Sequence, residues 1–186
     1  MSKINFAPFP ELKTNRLILR QLKEEDNHKI FLLRSDDRVN RYIDRTKPKD
    51  IAETSDFILK INNGIKQNEW IYWAITLKDN PILIGTICLW NFSEDKTGAE
   101  LGYELDPAFQ GKGIMSETLK KIIEFGFQEI ELDAIDAYTH KNNNNSTILL
   151  QKHNFKLDEK RKDKENSDNI IFMLTKQNWI KTKPNK

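Results

Sequence analysis

The sequence holds one cysteine, Cys88, in 186 residues, which excludes an internal disulfide framework and fits a reducing compartment. Cys88 lies inside the apolar run ILIGTICLW, where a small buried hydrophobe is expected rather than a nucleophile. Histidine is nearly as scarce. His28, His140 and His153 are scattered, with no cysteine beside them, so no metal-ligand spacing exists. No apolar run approaches the ~20 residues of a membrane span, and the opening stretch MSKINFAPFPELKT has no signal-type apolar segment. A cytoplasmic protein with no membrane partner is therefore expected. An excess of either charge is also lacking: 30 Lys and Arg against 28 Asp and Glu leave a net +2, so composition does not ask for a nucleic-acid partner. The cluster from Lys160 to Lys164 is interleaved with acidic residues and reads as a solvated hairpin tip.

What is present suits a single domain over residues 1–186. A hydrophobic content of 38% with 10% aromatics is enough for one core, and 31% charged residues imply a heavily solvated surface. NRLILRQL (15–22) alternates as a strand does. EEDNHKIFLLRSDDRVNRYI (24–43) carries helical spacing after an acidic opening, and PKDIAETSDFILKINNGIKQ (48–67) reads as a second helix that Gly64 stops. Three β-type runs follow: EWIYWAITLK (69–78), PILIGTICLWNF (81–92) and GAELGYELD (98–106). The connections between them are too short for crossovers, so they form an antiparallel meander. A helix over 112–127, a strand over 132–140 and a helix over 143–154 ending at Asn154 come next. A hairpin of FKLDEKRKD and NIIFMLTK closes the pattern, and the tail TKPNK is expected to fray. The order β-α-α-β-β-β-α-β-α-β-β predicts a mixed α/β fold around one central sheet.

Glycine is used sparingly, 7 residues in all, yet two of them flank Lys112 in DPAFQGKGIMSETLKKIIEFGF (106–127), directly before an amphipathic helix. The first-turn N–H groups of a helix have no intrahelical partners, and the helix dipole adds about half a positive charge there. Glycine lets the backbone curl so that several N–H groups converge and a ligand approaches without striking a Cβ. The physical product is a phosphate cradle, to which Lys112 can add a charge. The spacing is neither GxxxxGK[ST] nor GxGxxG, since the third position after Gly113 is Ser116. An ordinary tight strand–helix turn is the competing reading.

The stretch from Gln110 to Met115 resembles the Q/R-x-x-G-x-G/A pyrophosphate loop of the GCN5-related N-acetyltransferases (GNAT), in the QGKG form of the RimJ/RimL-type branch that acetylates ribosomal protein amino termini. Further segments match that branch in order: TNRLILRQL, IGTICLWN, AELGYELDPAFQGKGIMSETL and NNNNSTILLQKHNF. The resemblance implies a mixed, mostly antiparallel sheet of about seven strands with flanking helices, splayed between the fourth and fifth strands. It implies acetyl-coenzyme A as donor, with its pyrophosphate on the loop of Gln110, Gly111, Lys112, Gly113, Ile114, Met115 and Ser116. Its pantetheine arm would pair with the backbone of Tyr103 and Leu105 like an added strand. Asn143, three residues before Ser146 as in the family's N-x-x-S helix opening, would reach the coenzyme, although helix capping explains the same asparagine.

Acetyl transfer from a thioester needs a neutral amine, a stabilised oxyanion and help for the leaving thiolate. A protein α-amino group, pKa ~7.7–8, is roughly a tenth neutral at pH 7, whereas a lysine is well under a thousandth neutral. A modest base therefore suffices for an N-terminal acceptor. Glu100 and Glu104 share one face of the AELGYEL strand, with Gly102 between them leaving open space. Glu100 is the expected base, since related enzymes place theirs on this strand. Glu104, with Trp90 and Asn91, is expected to meet the acceptor. A solvated sheet face is the bland alternative. The tyrosine that many relatives use to protonate the thiolate is replaced here by Leu150, so Ser146 or a water is the expected donor. His140 and water remain options for the base. The expected partners are acetyl-coenzyme A and an amine, foremost a protein amino terminus, with no metal and with a homodimer left open. A polyamine or amine-drug acceptor, or a coenzyme-binding module without catalysis, are the rival readings.

Overall fold

The computed structural model describes residues 4–182. Among these, eight strands form one sheet in the order β1-β2-β3-β4-β5-β6-β8-β7. They are β1 (Leu12–Lys13), β2 (Leu17–Arg20), β3 (Ile71–Leu77), β4 (Leu83–Trp90), β5 (Gly98–Leu105), β6 (Ala134–His140), β7 (Lys156–Leu157) and β8 (Asn169–Thr175). The helices are α1 (Asn27–Ser35), α2 (Asp37–Asn40), α3 (Ile51–Lys66), α4 (Ile114–Gln128), α5 (Asn144–Lys152) and α6 (Lys176–Lys181). The fold is the expected mixed α/β one, and every neighbouring pair of strands is antiparallel except β5 with β6.

Four local expectations need correction. The two-residue β1 is one strand beyond the expected seven. The helical pattern of 24–43 is broken: Asp36 is extended (φ −67°, ψ 123°) and its carboxylate accepts from the Arg38 N–H, capping a separate short helix. Gly64 does not stop α3. The helix runs on to Lys66, and Gly64 is buried because the Trp70 indole lies where a Cβ would stand, about 2.1 Å away. Finally, α6 was not foreseen; the Thr175 hydroxyl caps it by accepting from the Asn178 N–H. Residues 183–186 of the expected frayed tail lie outside the described residues, while Thr182 closes α6.

The core is organised around β3, where all residues but Leu77 are buried. The fully buried Trp73 donates its indole N–H to the Pro10 carbonyl at 2.8 Å and meets Phe125 of α4 edge-on. Leu119 and Ile122 of α4 have no exposed surface, and each burial contributes about 1.5–3 kcal/mol. Register then divides the sheet into two faces. Tyr72, Thr86, Cys88, Trp90, Glu100, Gly102 and Glu104 share the face under α1 and α3, while Trp73, Ile87, Leu101, Tyr103 and Leu105 share the face under α4.

One feature of the sheet positions the site. β5 stays paired with β4 as far as Leu105, but its parallel pairing with β6 covers only Gly98 to Glu100. Beyond Glu100 the two strands part, and residues 101–105 have no strand neighbour on that side. This is the expected splay, found between β5 and β6 because β1 shifts the count.

Candidate active site

The glycine loop follows the splayed strand. Asp106 caps a short turn of 3-10 helix, Pro107–Phe109, by accepting from the Ala108 N–H. Gly111 and Gly113 both have φ of +73°, a left-handed conformation that side chains other than glycine's rarely adopt. Gly113 is the N-cap residue of α4 and has no side chain to cap it. A Cβ on Gly111 would meet nothing within 4 Å, and one on Gly113 would meet only Arg16 Nη2, at 3.6 Å. The glycines are therefore not required by close packing of protein atoms. They keep a space open at the N-terminus of α4, whose first-turn N–H groups have no intrahelical partners, and a pyrophosphate fits that space and that charge.

The loop's side chains divide into holders and facers. Gln110 turns inward, and its amide donates to the Leu105 carbonyl at 3.0 Å. That carbonyl thus accepts one hydrogen bond from within the loop and keeps a second lone pair. Lys112 is exposed, with its ammonium 5.5 Å from the Phe109 ring centroid. Ile114 and Met115 are buried and anchor the first turn of α4. Ser116 shares a hydrogen bond with His153 Nε2 at 2.8 Å, tying α4 to the end of α5. Burial, helped by Lys152 and Lys120, holds the His153 pKa below its usual value, so the ring is neutral at pH 7.

Arg16 is a loop residue that sequence reasoning missed. Its guanidinium donates to the Lys112 carbonyl at 3.0 Å and to Glu117 at 2.6 Å. Glu117, in the first turn of α4, also accepts from the Thr14 hydroxyl and the Arg16 N–H. The β1–β2 turn is thereby fastened to the cradle, and a second cation stands beside Gly113. The only signal was the segment TNRLILRQL, whose role in the loop requires a contact across about a hundred residues of sequence.

Across the splay, Asn143 is the N-cap residue of α5 and accepts from the Ser146 N–H at 3.2 Å. Ser146 is buried, and its hydroxyl lies 2.8 Å from the Tyr103 phenol oxygen. Leu150 is fully buried.

The opposite face of β5 carries the carboxylates, and the open space expected at Gly102 is absent. A Cβ on Gly102 would come within 3.0 Å of the Cys88 sulfur, so the gap between the carboxylates is filled. Burial pushes that thiol up to about 12, which makes it inert at neutral pH. The Glu104 side chain is only 5% exposed. It meets Arg45 at 2.6 Å and Arg34 at 3.8 Å and accepts from the Thr86 hydroxyl at 3.2 Å. Arg34 in turn stacks on Phe57, 4.2 Å from its centroid.

Glu100 differs. It is half-buried, accepts from the Asn91 amide, and stands in register with Trp90 and with Asp136. Burial pushes its pKa up, as do the nearby charges of Asp136, Asp163 and Glu165, against the pull of the Asn91 hydrogen bond. Trp90, expected to meet the acceptor, is 46% exposed at the end of β4 beside Asn91. His140 is occupied: Nδ1 accepts from the Asn142 N–H at 3.1 Å, and the ring stacks against Tyr42, with centroids 5.3 Å apart. The expected solvated hairpin tip also has one committed member, since Arg161 reaches back to pair with Asp136 and Asp158. Among the described residues no cluster of His, Cys, Asp and Glu could hold a metal ion, and no helix is long and apolar enough to cross a membrane.

An open glycine loop at a helix N-terminus beside a splayed strand suits an acyl-coenzyme A ligand, and comparison with known proteins gives the family. The acetyltransferase (GNAT) domain family matches residues 16–156. The chain is 34% identical over 147 residues to the uncharacterized N-acetyltransferase YoaA of Bacillus subtilis (strain 168), covering 79% of this chain and 83% of that one. It is 31% identical over 174 residues to the uncharacterized N-acetyltransferase p20 of Bacillus licheniformis, covering 90% and 97%. Its fold resembles that of RimL, a ribosomal L7/L12 alpha-N-protein acetyltransferase solved in complex with coenzyme A, with a TM-score of 0.77 and 15% identity over 89% of this chain and 98% of that one. The chain belongs to the GNAT acetyltransferases and is an N-acetyltransferase. Enzymes of this family take their acetyl group from acetyl-coenzyme A.

Proposed function

We propose that the protein transfers acetyl from acetyl-coenzyme A to the α-amino group of a protein amino terminus. The observation that carries this reading is the asymmetry of the two β5 carboxylates. Glu104 is committed to two arginines, whereas Glu100 is half-buried, oriented by Asn91 and shifted toward the range of a useful base. Five residues separate Glu100 from Leu105, roughly 16 Å at the strand rise, so Glu100 acts through water. A weak base at one remove suits an amine that is already about a tenth neutral at pH 7, and does not suit a lysine. That RimL, a protein of the same fold, is described as acting on a ribosomal protein's α-amino group agrees with the choice.

In this reading the N–H groups of residues 110–116 and the charges of Lys112 and Arg16 hold the coenzyme's phosphates. The free edge of β5 around Tyr103 receives the pantetheine arm, and Asn143 with Ser146 flanks the thioester. Trp90 and Asn91 line the approach of the acceptor at the exposed end of β4. The amine nitrogen forms its bond to the acetyl carbon as the carbon–sulfur bond breaks. One amine proton passes through water to Glu100, and Ser146 donates a hydrogen bond to the departing sulfur. The reaction is placed in the cytoplasm.

Release of free thiol from acetyl-coenzyme A, measured with peptides, polyamines and aminoglycosides as acceptors, tests the assignment. Peptides with free amino termini should be acetylated at least tenfold faster than spermidine or kanamycin. A preference for polyamines or aminoglycosides would replace the acceptor, and no turnover with any amine alongside tight coenzyme binding would favour a binding module.

The base assignment has its own signature. Glu100→Gln should slow turnover by about tenfold at pH 7, where roughly a tenth of the amine is neutral, and by progressively less above pH ~8, where the amine is already neutral. The direction follows from the raised pKa: Glu100 accepts protons only when ionised, so the wild-type rate falls as pH drops through that value. A loss uniform across pH would make Glu100 a binding residue; an unchanged rate would give the base role to water.

A further inference from the structure

The Tyr103 side chain was given no role by the sequence, yet it makes a contact that bridges the opened strands. Its phenol extends from β5, beyond the last residue paired with β6, to Ser146 in the first turn of α5, with the oxygens 2.8 Å apart. Two hydroxyls at this distance can be arranged in two ways. Either arrangement leaves one hydroxyl proton without a partner among the described residues, at a cost of about 1–3 kcal/mol, but the phenol is the more acidic hydroxyl and so the better donor, and the aliphatic serine oxygen is the better acceptor. The phenol therefore donates to the serine oxygen, and burial keeps it protonated by pushing its pKa up to about 12. The backbone of Ser146 is fixed independently, since its N–H donates to Asn143 Oδ1.

With one lone pair of its oxygen filled by Tyr103, the Ser146 hydroxyl has a defined direction left for its own proton. We infer that Tyr103 is a positioning residue that orients the Ser146 hydroxyl toward the sulfur of the coenzyme in the splay. The proton balance is unchanged by this: Tyr103 and Ser146 keep their protons, the sulfur leaves with the bonding electron pair, the amine's proton goes through water to Glu100, and the released thiolate takes a proton from solvent. What the pair supplies is a donor already aimed where negative charge develops, which needs no reorganisation during the reaction.

The inference rests on acetyl transfer from the coenzyme and not on which amine accepts it, so its test uses any acceptor that turns over, or the slow hydrolysis of acetyl-coenzyme A if none does. Turnover and KM for acetyl-coenzyme A are measured for wild type, Tyr103→Phe, Ser146→Ala and the double variant. Each single change should lower kcat about tenfold and leave KM for acetyl-coenzyme A within about twofold, because the ring and the cradle remain. The double variant should be no slower than Ser146→Ala, because Tyr103 acts only through the serine. Wild-type kcat in Tyr103→Phe, losses that multiply in the double variant, or a rise in KM with kcat unchanged would each overturn it. Should Tyr103→Phe fail to fold, Ser146→Cys, which keeps a donor that Tyr103 can aim, should recover part of the activity lost in Ser146→Ala; no recovery would count against the pair. Failure of the peptide acceptors alone would revise the acceptor and leave this comparison intact.

Discussion

Gly113→Val should weaken acetyl-coenzyme A binding about a hundredfold in a protein that still folds. Two effects act together. Valine at φ +73° is strained, so the loop shifts toward a conformation whose N–H groups no longer converge. Its branched side chain also enters space that the protein leaves empty, where only Arg16 Nη2 comes within 4 Å. Losing one or two hydrogen bonds to a charged phosphate, at about 1.5–3 kcal/mol each, corresponds to one to several factors of ten in affinity. Calorimetric titration with acetyl-coenzyme A reads the affinity, and a thermal scan confirms folding. An unchanged Kd in a folded variant would mean that the open loop is an ordinary turn and that the phosphates bind elsewhere. Gly111→Val should behave alike, having the same φ and still more open space.

Glu104→Ala should cost the fold about 3–5 kcal/mol, the range found when one partner of a buried ion pair is removed. The substitution leaves the Arg45 and Arg34 guanidiniums, with side chains 14% and 20% exposed, facing each other without their shared carboxylate. It also takes the Thr86 hydroxyl's acceptor, while Thr86 keeps its contact with Tyr72 at 2.9 Å. At roughly 2–4 °C per kcal/mol for a chain of this size, the melting temperature should fall by about 10 °C. Activity per folded molecule, measured well below the transition, should drop far less than in Glu100→Gln at pH 7. A small thermal shift with abolished turnover would reverse the two assignments and make Glu104 the group that serves the acceptor.

The contrast between these carboxylates shows where sequence reading stops. Alternation along AELGYEL puts Glu100 and Glu104 on one face, and the register confirms that they share it. Alternation cannot tell what covers the face. Arg34 comes from α1 and Arg45 from the segment after α2, about sixty residues earlier in the chain. Their arrival turns a glutamate that alternation alone would leave solvated into a buried anchor, while Glu100 stays half-buried with Asn91 as its partner. The same limit hid the hydroxyl pair. Tyr103 and Ser146 are 43 residues apart, and each alone reads as an ordinary strand or capping residue.

The sequence by itself determined most of the element order, the glycine turn ahead of α4 and the family. Periodicity and caps act within a few residues of the chain: Asn143 caps α5 and Asn154, at φ +65°, follows its end. Two glycines placed before a helix already imply converging N–H groups, whatever the rest of the fold does. The tertiary structure alone decided which polar groups are free to act. Availability depends on partners brought in by packing, and a carboxylate or hydroxyl carries no local mark of whether an arginine, an asparagine or a phenol will reach it. Arg16 at the cradle, Asn91 on Glu100 and Tyr103 on Ser146 are such arrivals, and each was set by strand register and helix docking across the sheet.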